Sequence, residues 1–334
     1  MKKFCISILV IILFVVIGLC GIYALYRNKC ITLPFLYKEC PSWSLGYYVT
    51  ANPTLPPDTA SIQWIKPTSF GVHPTPQLMA DPFIVQDANE YYIFYEEFQG
   101  FKPSSNAVIS CLHREDGGWK RMGVVLQMPY HLSFPNVFKY RGEWYMIPEA
   151  ANSGGLQIFK AIDFPMKWEK VATALVGHRC IDNLVYQQND TLFLFAYEGG
   201  LRIYYTLNLL EVDAWKEHPK SPIAIDRLAG GILKVDDKLY FYTQSSNEGY
   251  GTGVMCHCID DISTVTFSEH TLQQNPTVWK HGEGVAKYGM HTLNAVVLSD
   301  SLWLCVTDGL CTSVAETQVK IDWKVKPTWV HYNN

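Results

Sequence analysis

The stretch Asp81-Pro-Phe-Ile-Val-Gln-Asp-Ala-Asn-Glu-Tyr-Tyr-Ile-Phe-Tyr95 decides the fold, because its pattern returns further along the chain. Each copy has an apolar strand, a short polar turn and an aromatic strand, and the copies align without a gap. They begin at Asp81, Phe134, Asp182, Ala229 and Thr292. Starts that lie about 50 residues apart match the span of one four-stranded propeller blade. The sequence therefore predicts an all-β, five-bladed β-propeller.

The strands expected after each hairpin support this prediction. A third apolar strand follows the first four hairpins, and in three copies a fourth strand opens at a tryptophan, namely Trp119, Trp168 or Trp215. Short strands with regular turns, and no long amphipathic helix between them, are typical of repeated antiparallel sheets. The fifth blade needs a further strand, which either residues 59–66 or residues 318–330 would supply.

Composition narrows the function classes open to this chain. The 334 residues carry 27 Lys and Arg against 31 Asp and Glu, a net charge of −4, without a long basic run. Nucleic acid is therefore not expected as a partner. Aromatic residues make up 14% of the chain, which excludes a disordered protein. The ten cysteines contain no repeated Cys-x-x-Cys pair, and Cys256 and Cys258 on one strand face are expected to pack rather than bind a metal. No metal site or cofactor is predicted from the residues themselves.

The N-terminal region has a different character from the repeats. Residues 4–26 carry no formal charge and, as a helix, would span roughly 30 Å, so we expect one transmembrane helix after a short flank at residues 1–3. The proline-containing residues 27–57 follow as a stalk or a wrap onto the domain, and residues 58–334 form the propeller. Lys2 and Lys3 before the helix are nearly balanced by Arg27 and Lys29 after it, and the expected orientation places the N-terminus inside. The expectation is a single-pass membrane protein with most of the chain on the exported side.

Propeller topology sorts the polar residues between the two faces of the disc. Asp81 and Asp182 occupy the same position, at the start of the innermost strand, in blades one and three, so both are expected to face the central funnel. Glu96 and Glu149 are equivalent at the end of the second strand, and Glu198 lies one residue further along in its blade. Loops on the same face add the remaining candidate binding residues, which are His131, Arg179, Arg227, Tyr250 and His291. Such a set suits a sugar, which takes bidentate polar contacts and a flat ring to stack on.

Carboxylates across a funnel are the groups that glycosidic bond chemistry uses, one as acid and one as base or nucleophile. Asp81 is the candidate base or nucleophile, Asp182 the partner that sets its pKa, and Glu149 the candidate acid, because neighbouring like charges separate the pKa values of two carboxyls. Arg227 is a candidate for binding an anionic substituent such as phosphate or uronate. The structural alternative is that Asp81 caps its strand before Pro82 and that Asp182 hydrogen-bonds a neighbouring blade.

Five ordered motifs carry a family resemblance. They are ADPF at residues 80–83, HLSFP at 131–135, YMIPE at 145–149, FPMKW at 164–168 and HTLN at 291–294. From about residue 78 to about residue 309 the chain resembles the N-terminal propeller domain of plant glucosamine inositolphosphorylceramide transferase and its bacterial relatives. This domain is in turn similar to the five-bladed propellers of arabinan-, xylan- and fructan-cleaving glycosidases.

The resemblance implies a catalytic aspartate at the blade-one position, Asp81, and a second one at the blade-three position, Asp182. It also implies an acid glutamate at the start of the inner strand of blade four, but residues 226–230 read DRLAG, so Glu149 or Glu198 would have to replace it. Some of these glycosidases hold a calcium ion on the propeller axis near a blade-five histidine, a position that His291 matches. In the plant protein, amino-sugar transfer is attributed to a separate glycosyltransferase domain.

The leading hypothesis is a membrane-anchored, glycan-active propeller that carries out glycosyl hydrolysis or transfer in polysaccharide or glycolipid metabolism. One alternative is a non-catalytic carbohydrate-binding module, which needs no matched acid and base. The other is a scaffold in an envelope-glycan assembly system, which predicts a large exposed apolar patch rather than a polar funnel. The expected partner of the leading hypothesis is a carbohydrate or a glycolipid.

Overall fold

The five hairpins predicted from the sequence lie in five separate four-stranded sheets. The computed structural model describes residues 2–27, 40–70, 76–99, 106–245, 250–272 and 284–313. Neighbouring strands in each sheet are antiparallel where their register is defined. The predicted all-β, five-bladed β-propeller is confirmed.

The strands follow the chain blade by blade after two initial strands, β1 (Cys40–Thr50) and β2 (Gln63–Ile65). Blade one contains β3 (Pro76–Asp87), β4 (Glu90–Gln99), β5 (Val108–Glu115) and β6 (Gly118–Leu126). Blade two contains β7 (Ser133–Tyr140), β8 (Glu143–Glu149), β9 (Leu156–Asp163) and β10 (Lys167–Ala174). Blade three contains β11 (Ile181–Gln188), β12 (Thr191–Tyr197), β13 (Leu201–Thr206) and β14 (Lys216–Glu217). Blade four contains β15 (Leu233–Val235), β16 (Lys238–Gln244), β17 (Val254–Ile262) and β18 (Phe267–Thr271), and blade five begins with β19 (Leu293–Ser299) and β20 (Leu302–Ser313).

Blade five is closed by the two strands that come first in the chain. Its strand order is β19-β20-β1-β2, and β2 pairs with β1 through Leu45 opposite Ile65. The outer strand β2 lies within residues 59–66, the first of the two predicted alternatives, whereas residues 318–330 lie outside the described residues. Residues 40–50 of the predicted stalk are a propeller strand because their alternating apolar side chains, with Trp43 and Leu45 buried, complete the sheet.

The N-terminal helix α1 (Lys2–Arg27) forms where a helix is predicted. A membrane span requires about 20 consecutive, mostly apolar residues. Within the described part of the chain, no helix has the combination of length and apolar character needed to cross a membrane. The prediction of a transmembrane helix at residues 4–26 is therefore not supported.

The hydrophobic core lies between the faces of neighbouring blades. One cluster joins Ile147 and Leu156 of blade two to Leu192, Leu194 and Tyr204 of blade three, all of them buried. Similar clusters fill the other gaps between blades. Because each sheet is covered on both sides, its strands are apolar in nearly continuous runs rather than in strict alternation.

Hydrogen bonds between asparagine side chains and backbone amides join the inner strands of adjacent blades. The Oδ1 atom of Asn136 accepts a hydrogen bond from the Val185 amide at 2.9 Å, and the Oδ1 atom of Asn294 accepts one from the Ile84 amide, also at 2.9 Å. These asparagines occupy the same position of blades two and five. They tie the inner strand of blade two to that of blade three, and the inner strand of blade five to that of blade one.

Gly230, just before β15 of blade four, forms a parallel bridge with Leu293 on the inner strand of blade five. Its φ is +128°, and a Cβ atom at this position would lie 1.6 Å from the Leu293 carbonyl oxygen. We expect Gly230→Ala to lower the free energy of unfolding by about 2 kcal/mol more than Gly118→Ala, measured by urea denaturation. Gly118 is the matched control because its φ is +124° and a Cβ there meets nothing within 4 Å. Equal losses in the two variants would show that backbone strain alone, and not the contact between blades, sets the cost.

Candidate functional site

The inner strands of blades one, two and three begin with the same backbone irregularity. Asp81, Phe134 and Asp182 have φ values of 51°, 45° and 52°, and each lies at a shift in register where its strand contains one extra residue. A bulge of this kind redirects a side chain, and positive φ in non-glycine residues is concentrated at functional sites. Asp81 and Asp182 are thus held, as the repeat predicts, at equivalent positions close enough to interact electrostatically.

Asp81 is held by contacts from two other blades. Its Oδ1 atom accepts a hydrogen bond from the Thr292 hydroxyl at 3.0 Å, its Oδ2 atom accepts one from the Phe134 amide at 3.3 Å, and His291 Nε2 lies 3.8 Å from Oδ1. Burial raises the pKa of Asp81, and the negative charges of Asp308 and Asp182 add to this effect, while His291 opposes it. The side chain keeps 11% of its surface exposed, so it can still be reached from the funnel.

Asp308 supports Asp81 through the Asp81 amide and through His291. It is fully buried, and its two oxygens accept hydrogen bonds from the amides of His291, Thr292 and Asp81 and from His291 Nδ1, at 2.6–3.1 Å. Burial alone would lower the pKa of His291, but the charge and hydrogen bond of Asp308, together with the charges of Asp81 and Asp182, raise it. Trp43 of β1 stacks on the same imidazole, with ring centroids 4.0 Å apart and planes 14° apart. The position of His291 is therefore set by a buried acid and an aromatic ring.

Arg227 connects the acidic groups of blades two and three. Its Nε and Nη2 atoms donate to the two oxygens of Asp182 at 2.7 and 2.8 Å, and Nη2 also lies 3.5 Å from Glu149 Oε2. The amide of Asp182 donates to the same Glu149 oxygen at 3.3 Å. Tyr250, which is 59% exposed, covers the guanidinium with its ring 5.5 Å away. Although burial would lower the pKa of Arg227, its hydrogen bonds to Asp182 raise it.

Glu149 is the acidic group of the site whose raised pKa suits it to donate a proton. Burial and the nearby charge of Asp182 raise its pKa to about 8, against the opposing effect of Arg227. A carboxyl with this pKa holds its proton at neutral pH, which is the property required of a general acid. Its side chain is 14% exposed. The geometry thus provides a protonated carboxyl beside the acidic groups of two other blades.

Glu96 of blade one and His131, which lies between β6 and β7, form a second pair of neighbouring titratable groups. His131 Nδ1 accepts a hydrogen bond from the Ala107 amide at 3.4 Å, so the ring proton lies on Nε2, 3.3 Å from Glu96 Oε1. Burial, together with the charges of Asp81 and Glu149, raises the pKa of Glu96 well above its ordinary value. Burial also lowers the pKa of His131. Both groups therefore favour their neutral forms.

Glu198 and Arg179 lie in a separate cluster of blade three. Glu198 accepts from the Arg179 amide at 2.8 Å and lies 3.1 Å from His178 Nδ1 and 3.5 Å from Arg202 Nε. Burial would raise its pKa, but these donors together lower it. A carboxyl that is ionised so readily is poorly suited to be a general acid, so the geometry favours Glu149 over Glu198 for that role. The Arg179 side chain is exposed, and a binding role for either residue stays a prediction.

Comparison with known proteins identifies the family. Residues 41–310 match the family model "Glucosamine inositolphosphorylceramide transferase 1, N-terminal". The chain belongs to this family. It is similar to glucosamine inositolphosphorylceramide transferase 1 of Arabidopsis thaliana, with 27% identity over 258 residues, and of Oryza sativa subsp. japonica, with 28% identity over 250 residues. These alignments cover 68% and 69% of this chain but 33% of each relative, so the chain spans a third of the length of the curated relatives it matches.

Solved structures share the fold of this glucosamine inositolphosphorylceramide transferase N-terminal domain. A candidate glycoside hydrolase from Bacteroides ovatus has a TM-score of 0.51 and 14% identity, covering 86% of this chain and 98% of its own. A second glycosyl hydrolase from Bacteroides ovatus has a TM-score of 0.51 and 11% identity, covering 70% and 82%. At these identities the likeness concerns the fold alone. The predicted resemblance to the transferase N-terminal domain and to glycosidase propellers is confirmed.

Two supporting residues of this family member were missed by sequence reasoning. Asp308 lies within β20, at the same offset from the start of its repeat copy as Glu198 has in blade three, and this equivalence could have identified it. Trp43 lies in the predicted stalk, where no repeat indicated a strand. Both residues contact His291.

The calcium ion suggested by the glycosidase resemblance does not fit the residues around His291. Asp81, His291 and Asp308 have one ligand atom each within 4.8 Å of one another. Calcium requires six to eight oxygen ligands. Asp308, however, already accepts four hydrogen bonds from protein donors, which uses all the lone pairs of a carboxylate. His291 and Asp308 therefore act as a hydrogen-bonded pair that supports Asp81.

Proposed function

We propose that the funnel of this propeller acts on the glycosidic bond of a glycan or glycolipid, by hydrolysis or transfer, with Glu149 as general acid and Asp81 as base or nucleophile. The observation that carries the proposal is the position of Glu149, whose Oε2 atom lies 3.3 Å from the Asp182 amide and 3.5 Å from Arg227 Nη2, while burial and Asp182 raise its pKa to about 8. This carboxyl is protonated at neutral pH and still partly exposed. Glycosidic bond cleavage uses such an acid together with a second carboxyl.

The reaction assigns a separate task to each group. Glu149 gives its proton to the oxygen of the departing sugar or lipid while the bond between that oxygen and the anomeric carbon breaks. Asp81 either removes a proton from the water or alcohol that attacks the anomeric carbon, or attacks this carbon itself. After proton donation, the Glu149 carboxylate is stabilised by Arg227 at 3.5 Å and by the Asp182 amide at 3.3 Å. Asp182, whose oxygens both accept from Arg227, is a positioning residue.

The substrate class follows from the aromatic and cationic groups at the mouth of the funnel. The exposed ring of Tyr250 provides a face on which a sugar can stack. Arg227 uses Nε and Nη2 for Asp182, and no described residue accepts a hydrogen bond from its Nη1 group, which can bind an anionic substituent such as phosphate. The curated relatives are named as transferases that act on an inositolphosphorylceramide. We extend to this chain only the class of that substrate, a glycolipid with an anionic headgroup.

A non-catalytic carbohydrate-binding module is the second candidate function. The ion pair between Asp182 and Arg227 favours it, because that aspartate is 1% exposed and is not free to take part in proton transfer. The start of the inner strand of blade four, where the resemblance implies an acid glutamate, contains Arg227 instead. In this alternative the same side chains would hold the sugar without breaking a bond.

A product screen separates the two functions. The full chain is incubated with a panel of glycans, glycolipids and activated sugar donors, and products are identified by mass spectrometry. We expect products from the wild type and from the control Asp190→Asn, which alters an exposed turn of blade three, but none from Asp81→Asn. Retention of a glycan without products, equal in all three proteins, would instead establish the binding module. If the wild type forms no products and retains no glycan, both functions are contradicted.

A further inference from the structure

The outer edge of blade four brings together three metal-ligating side chains that the funnel does not use. Cys258 and Asp260 lie on β17, and His270 lies on the edge strand β18. One sulfur, one carboxylate oxygen and one imidazole nitrogen lie within 4.8 Å of one another. We propose that these residues bind a divalent transition-metal ion of the zinc class. The proposal does not depend on the function of the funnel.

The backbone of the two strands sets this arrangement. Cys258 and His270 are direct partners across the strands, as are Ile259 and Glu269, but the register then shifts so that Asp261 lies opposite Ser268. β17 therefore contains one extra residue, Asp260, at a bulge. Because a bulge changes the direction of a side chain, it can bring a carboxylate toward the histidine of the neighbouring strand. Both Asp260 oxygens lie 2.9 Å from His270 Nδ1.

The chemistry of the three donors selects the metal. A thiolate, an imidazole and a carboxylate together are typical ligands of zinc, whereas calcium and magnesium prefer oxygen ligands alone. Zinc bonds of about 2.0–2.3 Å place neighbouring ligand atoms roughly 3.5 Å apart. The side chains of Asp260 and His270 are 48% and 55% exposed, so they can rotate to close the remaining distance.

Cys258 is the buried ligand of the proposed metal site. It is 4% exposed and lies directly opposite Tyr240 on the adjacent strand β16. A hydrogen bond to a metal-bound sulfur from such a neighbour is common in protein metal sites. Cys256 differs from it, because it is fully buried in the core cluster shared with blade five. Three protein ligands leave a fourth position open to water or to a group of another molecule.

Cobalt titration of the full chain, reduced and free of metal, tests the proposal. Bound Co²⁺ in contact with a thiolate gives a charge-transfer absorption band that carboxylate and imidazole ligands do not give. We expect one such band per chain, its loss on addition of Zn²⁺, and its absence in Cys258→Ser. His270→Gln is expected to weaken cobalt binding at least tenfold. The controls Cys256→Ser and His113→Gln are expected to keep the band, since Cys256 lies in the core and His113 pairs with Glu90 at 2.6 Å on blade one, away from the proposed site.

The outcomes that overturn the proposal are specific to this site. They are a wild-type chain without the charge-transfer band, or a band that persists at full strength in Cys258→Ser. Should Cys258→Ser fail to fold, unchanged affinity in His270→Gln, whose side chain is exposed, also overturns it. Cobalt bound by the carboxylates of the funnel produces no thiolate band, so it cannot be mistaken for binding at blade four.

Discussion

Replacing Arg227 with methionine is expected to lower the free energy of unfolding by about 3–5 kcal/mol. The cause is Asp182, which is 1% exposed and whose two oxygens accept hydrogen bonds from Arg227 at 2.7 and 2.8 Å. Without the guanidinium, this carboxylate would remain buried with its charge unpaired. Urea denaturation of the full chain measures the effect through the midpoint and slope of the transition.

Two further variants distinguish a lost ion pair from lost packing around Arg227. The double variant Asp182→Asn with Arg227→Met contains no buried charge at these positions, so we expect it to recover most of the lost stability. Arg179→Met removes an exposed arginine from the same face and is expected to change stability by less than about 0.5 kcal/mol. A double variant as unstable as the single one would contradict the ion-pair explanation.

Glu149→Gln is expected to lower turnover by a factor of about 10² to 10⁴, the usual contribution of a general acid. This result rests on the proposed function and uses the substrate found in the product screen. The pKa of Glu149, raised to about 8 by burial and Asp182, also predicts the pH profile. Wild-type activity should fall as pH rises through about 8, because Glu149 loses its proton, and the residual activity of the variant should lack this decline. A decline near pH 8 that persists in the variant would assign the proton to another group.

The same glutamate gives a stability test that needs no substrate. Its folded-state pKa of about 8 lies above the ordinary value of 4.5, so the folded protein binds this proton more tightly than the unfolded chain. The stability from this group is complete below pH 4.5 and is lost as pH rises through about 8. Glu149→Gln cannot ionise. Between pH 6 and pH 9 the wild type should therefore lose at least about 1 kcal/mol relative to the variant, roughly 2–4 °C in Tm. Equal losses would show that Glu149 does not carry the raised pKa.

The sequence predicted the blades because each hairpin pairs residues that are close along the chain. The copies that begin at Asp81 and Thr292 have the same turn length, so their register could be aligned directly. The closure of blade five could not be predicted in this way, since β1 joins strand β20, which lies about 250 residues further on. Such a pairing leaves no periodic signal in either segment. The prolines before residue 57 indicated a stalk or a wrap onto the domain but no strand, although Trp43 and Leu45 belong to the core.

For the candidate site, the sequence predicted the backbone positions of the residues but not their side-chain contacts. Equivalence between blades placed Asp81 and Asp182 on the inner strands and Glu149 at the end of its strand, because these are backbone positions. It did not predict that Arg227 would pair with Asp182, or that Asp308 would hold His291. Those contacts join different blades and depend on side-chain direction in the assembled ring, which the order of residues does not specify.

The strand order β19-β20-β1-β2 also has a consequence for biosynthesis. During translation, β1 is synthesised about 250 residues before β20. At about 5–20 residues per second, the time between the two strands is roughly 12–50 s. Throughout that interval β1 has no partner on the side that β20 later fills, and an unpaired strand edge can associate with other nascent chains. The ring closes only after the last blade is synthesised. Translation speed across blades one to four therefore determines how long this edge of β1 stays unpaired.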